Sequence, residues 1–523
     1  MKYVGVYDKW LNTYGGGEKV ATVMVENLLR GGYRVDLISN TEIDRKEIED
    51  KMGVNLKGVN MVFWSERSYE KLTLLTKKYD VFVNTSYFDH LPSLAKKSIY
   101  YVHFPTPIRR TFFGFIKYET VLPFLRRFLI IPEVIKGLSQ IDEIVVRGGK
   151  WLSRENAFVI SNPPLEFNIK LRFYAEKLNI RALESLSFKS DNAELVLKDK
   201  YIDHQNNVLT YDLKVVMFKK ENLLLRMNTS EKSNENALGL VSLTIRDIRY
   251  LIWNFIKRYL PTYEMALYGS ASYKIAQGLD TYNVFFTNSN FTKKWTKKYW
   301  GKNSLVLYPP VDIEKLQFQN IKKKNIILNV GRFFVGGHSK RQDVLLDAFI
   351  KMYKTGQVAK NWELHFVGGV ASGDEHRDYL NSLIDTAKGY PVFFHISVEF
   401  TELVKLFSAA KIYWHATGYG VNERKDPIKM EHFGITPVEA MAAGCVPVVY
   451  RGGGLSETVG DASGLMWKSV NDLTDITIDL MKNNFRLEKL SKLYTKMAKN
   501  YSVDRFGENF LGVVERLINK DEN

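Results

Sequence analysis

Two glutamates near the C-terminus, Glu431 and Glu439, are separated by seven residues that include a glycine, Gly434. Carboxylates accept hydrogen bonds from sugar hydroxyls, and glycine lets a ligand approach backbone N–H groups closely. A strand-like run from Val446 to Tyr450 follows, so helix, strand and glycine loop come in the order of an α/β nucleotide-binding domain. The segment is therefore our first candidate for a binding site.

A purely structural interpretation of Glu439 is also available. Thr436 as helix N-cap, Pro437 at the first helical position and Glu439 three residues after the cap would form a capping box. Glu431 would lie outside that helix, where it is either a ligand-binding carboxylate or an ordinary surface glutamate.

A glycine run, Gly15-Gly16-Gly17, stands between the first predicted strand and an apolar-periodic helix that begins at Glu18. Backbone without Cβ atoms at a helix N-terminus allows a phosphate to reach unpaired N–H groups, and the helix dipole favours the anion. A glycine run alone is weak evidence, because a flexible strand-to-helix turn has the same composition.

A second glycine-rich loop follows another predicted strand and carries three permanent cations, Arg332, Lys340 and Arg341. Cations in such a loop can neutralise a pyrophosphate leaving group. A solvated basic loop has the same spacing, so the two interpretations are about equally supported.

His103 ends an apolar strand, at the edge where ligands bind in open α/β sheets. A lone histidine is more often structural. The histidines and the single cysteine lack zinc spacing, and there is no Asp-any-Asp pair, so we expect no metal site. The basic stretch from Lys293 to Lys298 is interpreted as a solvated helix face with Trp295 buried.

Short apolar runs separated by helix-length stretches position these residues, and they predict two parallel sheets of Rossmann type. The first series comprises Tyr3–Tyr7, Arg34–Ser39, Val81–Asn84 and Ser98–Val102. The second comprises Asn325–Val330, Glu363–Val367, Val392–Phe394, Ile412–His415 and Val446–Tyr450. The fold class is therefore α/β with two Rossmann-like lobes.

Between the two series the pattern changes to strict alternation, from Leu165 to Phe173 and from Leu209 to Met217. Alternation indicates half-buried antiparallel strands. We therefore predict a β-rich insertion over 155–235 within an N-terminal lobe of 1–154 and 236–312, and a C-terminal lobe of 313–523. The prolines of Tyr308–Asp312 mark the linker between the lobes.

Composition sets the broad class. The 523 residues are 45% hydrophobic and carry a net charge of +16, which suits a folded protein that binds polyanions, anionic membranes or phosphorylated substrates. A single cysteine, Cys445, excludes an intrachain disulfide. The N-terminus reads as a strand rather than a signal peptide, so a cytoplasmic protein is expected.

Two segments mix aromatic and basic residues, Phe112–Leu138 and Leu238–Leu260. Such a composition can lie at an anionic headgroup layer. It equally fits ordinary amphipathic helices packed on the core.

Taken together, six motifs resemble those of the family 4 retaining glycosyltransferases, which have the GT-B fold of two Rossmann-like lobes facing across a cleft. They are Gly15–Lys19, Tyr101–Pro105, Thr287–Ser289, Tyr308–Asp312, Gly331-Arg332 with Lys340, and Glu431–Glu439. The first, second and last look most like the α-1,2-mannosyltransferases that extend lipid-linked oligosaccharides. Residues from about 110 to 262 are not covered by the resemblance.

The resemblance implies a role for each matching residue. In the C-terminal lobe, Arg332 and Lys340 would hold the donor diphosphate, Glu439 the ribose hydroxyls, and Glu431 with the backbone of Phe433, Gly434 and Ile435 the donor sugar. In the N-terminal lobe, Gly16 and Gly17 would face the phosphates, and His103 would contact the transferring sugar. One departure stands out, because the family's glycine after the donor lysine is Arg341 here.

The function implied is transfer of a hexose, most simply mannose from GDP-mannose, to a glycan on a polyprenyl or dolichyl diphosphate at the cytoplasmic membrane face. No metal or cofactor beside the nucleotide-sugar is expected. Two alternatives stay open: a UDP-glucose or UDP-galactose transferase of exopolysaccharide or glycolipid synthesis, and a catalytically silent glycan-binding module. A nucleic-acid binder rests on charge alone and ranks last. The insertion is expected to contact the membrane or the acceptor.

Overall fold

The computed structural model describes residues 2–64, 69–108, 116–139, 150–175, 186–204, 208–228, 238–259, 271–317, 321–357, 361–460 and 464–519. The chain divides into two compact units. The first combines residues 1–108 with 275–523, and the second comprises residues 109–274.

The N-terminal lobe of the first unit contains a seven-stranded parallel sheet in the order β15-β14-β5-β4-β1-β2-β3. Its strands are β1 (Tyr3–Tyr7), β2 (Arg34–Ser39), β3 (Asn60–Phe63), β4 (Val81–Asn84), β5 (Lys97–Val102), β14 (Val284–Thr287) and β15 (Leu305–Val306). Helices cover Gly16–Arg30, Arg45–Met52, Tyr69–Thr76, Ala271–Asp280 and Asn290–Trp300. All four strands of the predicted first series are present, and β14 lies in the run Tyr282–Ser289, which also reads as strand into turn; β3 and β15 were not predicted.

The C-terminal lobe contains a six-stranded parallel sheet in the order β18-β17-β16-β19-β20-β21. Its strands are β16 (Ile326–Val330), β17 (Glu363–Gly368), β18 (Val392–Ile396), β19 (Ile412–His415), β20 (Val446–Tyr450) and β21 (Met466–Trp467). Its helices are Ile313–Gln317, Gln342–Lys354, Asp374–Thr386, Phe400–Ala409, Ile435–Ala442, Leu455–Thr458, Val470–Lys482 and Asn484–Ala498. Two Rossmann-like lobes are therefore confirmed.

The last helix, Val503–Asn519, does not belong to the C-terminal lobe into which the predicted boundary placed it. Its side chains Phe506, Phe510 and Val514 are buried in the core of the N-terminal lobe. At the crossing, the Val311 N–H donates to the Tyr501 carbonyl at 2.9 Å, so the two chain segments that join the lobes are hydrogen-bonded to each other. An amphipathic pattern marks the buried face of a helix but not which core receives it.

The second unit is an antiparallel sheet in the order β10-β11-β8-β13-β7-β12-β9, with β6 paired to β7. Its strands are β6 (Ile131–Ser139), β7 (Lys150–Ser161), β8 (Glu166–Ala175), β9 (Ser187–Lys189), β10 (Ala193–Asp203), β11 (Val208–Met217), β12 (Leu223–Asn228) and β13 (Leu238–Ile245). Alternate residues of β11 are buried, as the pattern predicts. The sheet extends beyond the predicted 155–235, because β6, most of β7 and β13 lack strict alternation.

The described part of this unit contains the helices Leu122–Arg126 and Ile248–Tyr259, and a π-helical segment, Ile116–Val121, leads into the first of them. The basic-aromatic segments predicted from the sequence therefore contain a helix each, although residues 112–115 and Leu260 lie outside the described residues. Tyr250 and Trp253 are buried in the same core as Leu122 and Leu129. Among the described residues, the helices are all too short or too polar to cross a bilayer.

Candidate active site

An ion pair joins the two charged motifs of the C-terminal lobe. Lys340 Nζ lies 2.7 Å from Glu431 Oε2, and both side chains are largely shielded from water. Burial alone would raise the pKa of Glu431, but the Lys340 ammonium and a hydrogen bond from His415 outweigh it and hold that pKa well below its usual range. Glu431 is therefore a carboxylate at neutral pH.

His415, the last residue of β19, is a third member of this cluster that we did not single out from the sequence. Its Nε2 lies 3.2 Å from Glu431 Oε2, and burial lowers its pKa. A neutral imidazole beside a carboxylate carries its proton on the nitrogen that faces it, so Nε2–H donates to Glu431. Within the described part of the chain, the buried Nδ1 has no hydrogen-bond partner.

Glycines clear the space around the Glu431 segment. A Cβ atom on Gly453 would lie 2.1 Å from the Glu431 carbonyl oxygen, and one on Gly454 would lie 2.0 Å from that of His432. The Gly454 N–H donates to the Glu431 carbonyl at 2.8 Å. The glycine loop after β20 therefore packs directly on the backbone that presents Glu431.

The helix after Glu431 begins earlier than the capping-box interpretation requires. Gly434, with φ of +92°, is the N-cap, and no side chain caps the helix Ile435–Ala442. Thr436 lies in its first turn, where its hydroxyl accepts a 2.8 Å hydrogen bond from Tyr413. The capping box is therefore wrong, and the first N–H groups of this helix are left available to a ligand.

Glu439 lies one turn further along that helix and faces a cluster that bridges the lobes. Burial and the nearby Asp312 carboxylate raise its pKa to about 7, against the lowering effect of Lys19. Lys19 of the glycine motif in turn binds Asp312 of the linker, at 2.9 Å from Nζ to Oδ2. The first motif, the linker motif and the last motif therefore meet in space.

Arg332 follows β16 and is exposed. The stem of Lys340 lies over Gly331, where a Cβ atom would lie 2.6 Å from Lys340 Cγ. Arg332 and Lys340 both lower the pKa of His338, which indicates that the three groups are close. The structure therefore brings Arg332, Lys340 and Glu431 together.

Arg341 does not share in this cluster. Its backbone is left-handed, with φ of +50°, which is the conformation that glycine adopts at no steric cost. Its guanidinium binds Asp343, with Nη2 to Oδ2 at 2.9 Å, and donates from Nη1 to the Tyr419 carbonyl at 2.9 Å. Arg341 is therefore bound to groups other than Glu431, whereas Lys340 is bound to Glu431 itself.

The first glycine motif lies against both lobes. Gly15 is the N-cap of the helix Gly16–Arg30, and its N–H donates to Glu18 Oε2 at 2.7 Å. A Cβ atom on Gly16 would lie 2.5 Å from Ile435 Cδ1 of the C-terminal lobe, and one on Gly17 would lie 3.2 Å from His103 Cε1. Any larger residue would therefore fill the cleft at this point.

His103 is linked to a buried acid through Thr85. His103 Nε2 lies 2.8 Å from the Thr85 carbonyl oxygen, so this nitrogen carries the proton, and burial lowers the pKa of the ring. The Thr85 hydroxyl donates to Asp8 Oδ2 at 2.9 Å. Burial and the Glu18 charge raise the pKa of Asp8 to about 7. Asp8 directly follows β1, at the edge of the sheet where ligands bind in open α/β folds. That position was a sequence signal for a functional residue, and we did not use it.

An aromatic stack joins the lobes beside the cluster. Phe104, next to His103, stacks on His432, with ring centroids 4.2 Å apart, and His338 meets His432 edge-on at 4.6 Å. Burial and His338 lower the pKa of His432 to about 3, so this ring is neutral. Glu457 adds a polar link between the lobes, because it accepts hydrogen bonds from the backbone N–H groups of Asn290 and Phe291 at 2.9 and 3.1 Å.

Comparison with known proteins agrees with this geometry. Residues 312–501, which make up most of the C-terminal lobe, match the family "Glycosyl transferases group 1". A "GDP-Man:Man(3)GlcNAc(2)-PP-Dol alpha-1,2-mannosyltransferase" of Dictyostelium discoideum is 26% identical over 250 residues, covering 46% of this chain and 47% of that protein. "Alpha-1,3/1,6-mannosyltransferase ALG2" of Saccharomyces cerevisiae is 26% identical over 274 residues, covering 45% and 54%.

The chain thus spans about half the length of the curated relatives it matches. Among solved structures, HepE of Anabaena in complex with UDP and glucose superposes with a TM-score of 0.51 at 10% identity, covering 99% of this chain and 100% of that chain. That likeness concerns the fold alone, and it confirms the predicted GT-B architecture. The resemblance to mannosyltransferases of lipid-linked oligosaccharides is likewise confirmed.

Proposed function

We propose that this protein is a retaining glycosyltransferase that moves mannose from GDP-mannose to a lipid-linked glycan. The relative from Dictyostelium discoideum carries GDP-mannose and a dolichyl-diphosphate glycan in its name, ALG2 is named as a mannosyltransferase, and residues 312–501 match a glycosyl transferase family. The donor, the acceptor and the activity of the whole chain are therefore all proposed together. Neither of the two relatives named above has a UDP-sugar in its name.

The observation that carries the proposal is the pair Lys340–Glu431 beside Arg332 and an uncapped helix N-terminus. When a nucleoside diphosphate leaves a sugar, negative charge grows on the leaving phosphate while positive charge grows on the sugar ring. Lys340 and Arg332 would stabilise the phosphate, and Glu431 the sugar side. Because Glu431 already holds the Lys340 ammonium in place, little reorganisation is required at the moment of bond cleavage.

On the sugar side, Glu431 would accept hydrogen bonds from sugar hydroxyls. The backbone N–H groups of Phe433, Gly434 and Ile435 would donate hydrogen bonds to the same hydroxyls. Glu439 would bind the ribose hydroxyls. With a pKa near 7, the Glu439 carboxyl can donate or accept a hydrogen bond at neutral pH.

The N-terminal lobe would hold the acceptor. The same lobe supplies His103, which would contact the transferring sugar. The ring is neutral, and because its Nε2–H donates to the Thr85 carbonyl, the lone pair of Nδ1 can accept a hydrogen bond from a hydroxyl of that sugar. Same-face attack is expected for retention, with a donor phosphate oxygen taking the acceptor proton. No separate carboxylate base and no metal ion are then required. Contacts between the lobes at Gly16 and Ile435 would exclude water from the cleft.

The lipid of such an acceptor would hold the protein at the cytoplasmic face of a membrane as a peripheral protein. This localisation is part of the proposal and follows from the acceptor chemistry.

The test is a donor panel on the purified full chain, with GDP-mannose, UDP-glucose, UDP-galactose and UDP-N-acetylglucosamine, a synthetic lipid-diphosphate oligomannoside, and parallel reactions in EDTA. We expect turnover of GDP-mannose alone, unchanged by EDTA. Turnover of a UDP-sugar alone would overturn the donor, and loss in EDTA would overturn the metal-free mechanism. Absence of donor binding by calorimetry would overturn the enzyme and favour a glycan-binding module.

A further inference from the structure

The helix Ile248–Tyr259 of the second unit is apolar on two opposite faces. One face packs into the core through Tyr250 and Trp253, which are 7% and 4% exposed. The other consists of residues that are 46–68% exposed: Ile248, Leu251, Ile252, Phe255 and Tyr259. Their spacing places all five within about 100° around the helix axis. We call these five residues the apolar stripe.

A second segment of the same unit shows the same division. Leu122 and Leu129 are buried in the core that receives Tyr250 and Trp253. Residues between and beside them are exposed, namely Val121, Phe124, Leu125 and Phe128, and the rings of Phe124 and Phe128 are 5.0 Å apart. Two separate elements that pack on one core therefore both present large apolar side chains to solvent. Isolated exposed apolar residues are common on protein surfaces, but groups of this size mark interaction sites.

The charge around the stripe has one sign. Three basic residues in and beside the helix are exposed. Arg258 borders the stripe, Lys257 lies on the opposite side of the helix axis, and Arg246 lies just before the helix. The helix sequence Ile248–Tyr259 contains neither aspartate nor glutamate. Asp247, immediately before it, is bound to Arg249 at 3.0 Å. The chain as a whole carries +16. An occupant of this surface must therefore supply apolar volume and negative charge together.

We propose that the apolar stripe docks on an anionic lipid surface, with the helix lying in the plane of the headgroups. A lipid layer accepts exposed Leu, Ile and aromatic side chains among its acyl chains while its phosphates meet Lys and Arg. Both requirements of this surface are met by that one occupant. The inference rests on the proposed function, because a protein docked on a lipid surface can reach a lipid-linked acceptor. The residues that carry it all lie in the second unit.

The experiment is sedimentation of the full chain with vesicles of phosphatidylcholine alone and of phosphatidylcholine mixed with phosphatidylserine. The stripe variant is Leu251→Asn with Phe255→Asn, and the charge variant is Lys257→Glu with Arg258→Glu. Matched controls lie on the helix Asn484–Ala498: Phe485→Asn with Leu493→Asn, both exposed apolar positions, and Lys489→Glu with Lys492→Glu. Calorimetry with GDP-mannose in solution is run on every variant.

We expect the wild type to sediment with the anionic vesicles and the stripe variant to lose about 10-fold or more in partitioning. The charge variant should lose binding and salt dependence on anionic vesicles, and both controls should match the wild type. Wild-type-like sedimentation of the stripe variant would overturn the proposal. So would a wild type that ignores anionic vesicles, or a stripe that governs only dimerisation in gel filtration.

Calorimetry separates this proposal from the proposed function. Loss of vesicle binding with unchanged donor binding supports the stripe as a membrane surface and shows that the variant is folded. Stripe-dependent vesicle binding by a protein that binds no donor supports the surface and overturns only the enzyme.

Discussion

Lys340 and Glu431 are bound to each other, Nζ to Oε2 at 2.7 Å, although 90 residues separate them in the sequence. The pair shows that the glycine-rich loop after β16 and the turn before the helix Ile435–Ala442 form one site. His415 binds the same carboxylate oxygen from β19. The loop after β16 and the end of β19 therefore converge on a single carboxylate.

The substitution Glu431→Gln keeps the shape of the side chain and removes its charge. Lys340 then loses its partner, and the developing charge on the sugar loses its carboxylate. We expect kcat for mannosyl transfer to fall by about 10²–10³-fold, with a smaller change in donor affinity. Steady-state kinetics against GDP-mannose check this, with the exposed Glu375→Gln as control. Equal activity of the two variants would contradict the role of Glu431.

The cations of the loop should separate into two classes. Arg332→Ala should weaken binding of GDP by about 10–100-fold, because no carboxylate of the described residues forms an ion pair with Arg332 that the donor would have to displace. Arg341→Gly should leave GDP affinity within about 3-fold, since Arg341 is occupied by Asp343 and Tyr419 and glycine adopts its left-handed backbone without strain. Isothermal calorimetry measures both. The reverse order of affinities would show that Arg341 turns toward the donor.

Contact between the lobes at the glycine motif predicts a compensating pair of substitutions. Gly16→Ala places a Cβ atom 2.5 Å from Ile435 Cδ1, so kcat should fall by about 10-fold. Ile435→Ala removes the obstructing atom, and the double variant should recover most of the loss. A double-mutant cycle on kcat/KM tests this. Additive effects would mean that the two residues do not meet during turnover.

The link through Glu457 should contribute to stability rather than chemistry. Glu457→Ala leaves the N–H groups of Asn290 and Phe291 without their carboxylate acceptor, and because water can reach the exposed Asn290 N–H, we expect a destabilisation of about 1–2 kcal/mol. Chemical denaturation checks this against Glu488→Ala, an exposed glutamate of the C-terminal lobe. Equal midpoints for the two variants would contradict the link.

Glu439 predicts a pH dependence of stability. Its pKa is raised from 4.5 to about 7, so between these values the folded protein keeps a proton that the unfolded chain has lost. Stability therefore falls as the pH rises through this window, by roughly 2 kcal/mol after allowance for partial exposure. Denaturation at about pH 5 and about pH 8 should show a larger loss for the wild type than for Glu439→Gln. Parallel losses would contradict the raised pKa.

The sheets of both lobes were predictable because central parallel strands are continuous apolar runs between helix-length segments. β19 and β20 fall on the predicted residues, from Ile412 to His415 and from Val446 to Tyr450. The bounds of the second unit were harder to predict, because only some of its strands alternate strictly. A helix face such as that of Val503–Asn519 has no sequence feature that identifies its partner.

Within the site, residue type predicted the charged groups but not their pairing. Lys340 and Glu431 were both expected, yet that they bind each other depends on the register of β16 and β19, which the sequence pattern does not contain. Asp8 and His415 were overlooked because a polar residue at the end of a strand resembles ordinary turn chemistry. Arg341 resembles a third donor-binding cation until its backbone conformation and its bond to Asp343 are known.

The return of the helix Val503–Asn519 to the N-terminal lobe sets the order in which the chain can complete its structure. The core of that lobe needs Val20 and Val83 from the start of the chain and Phe510 from its end. During synthesis, the lobe that begins to form first must wait for the whole C-terminal lobe before its core can close. Such long-range closure slows folding and leaves apolar surface open meanwhile. The late helix thus makes the core of the N-terminal lobe the last part of the first unit to close.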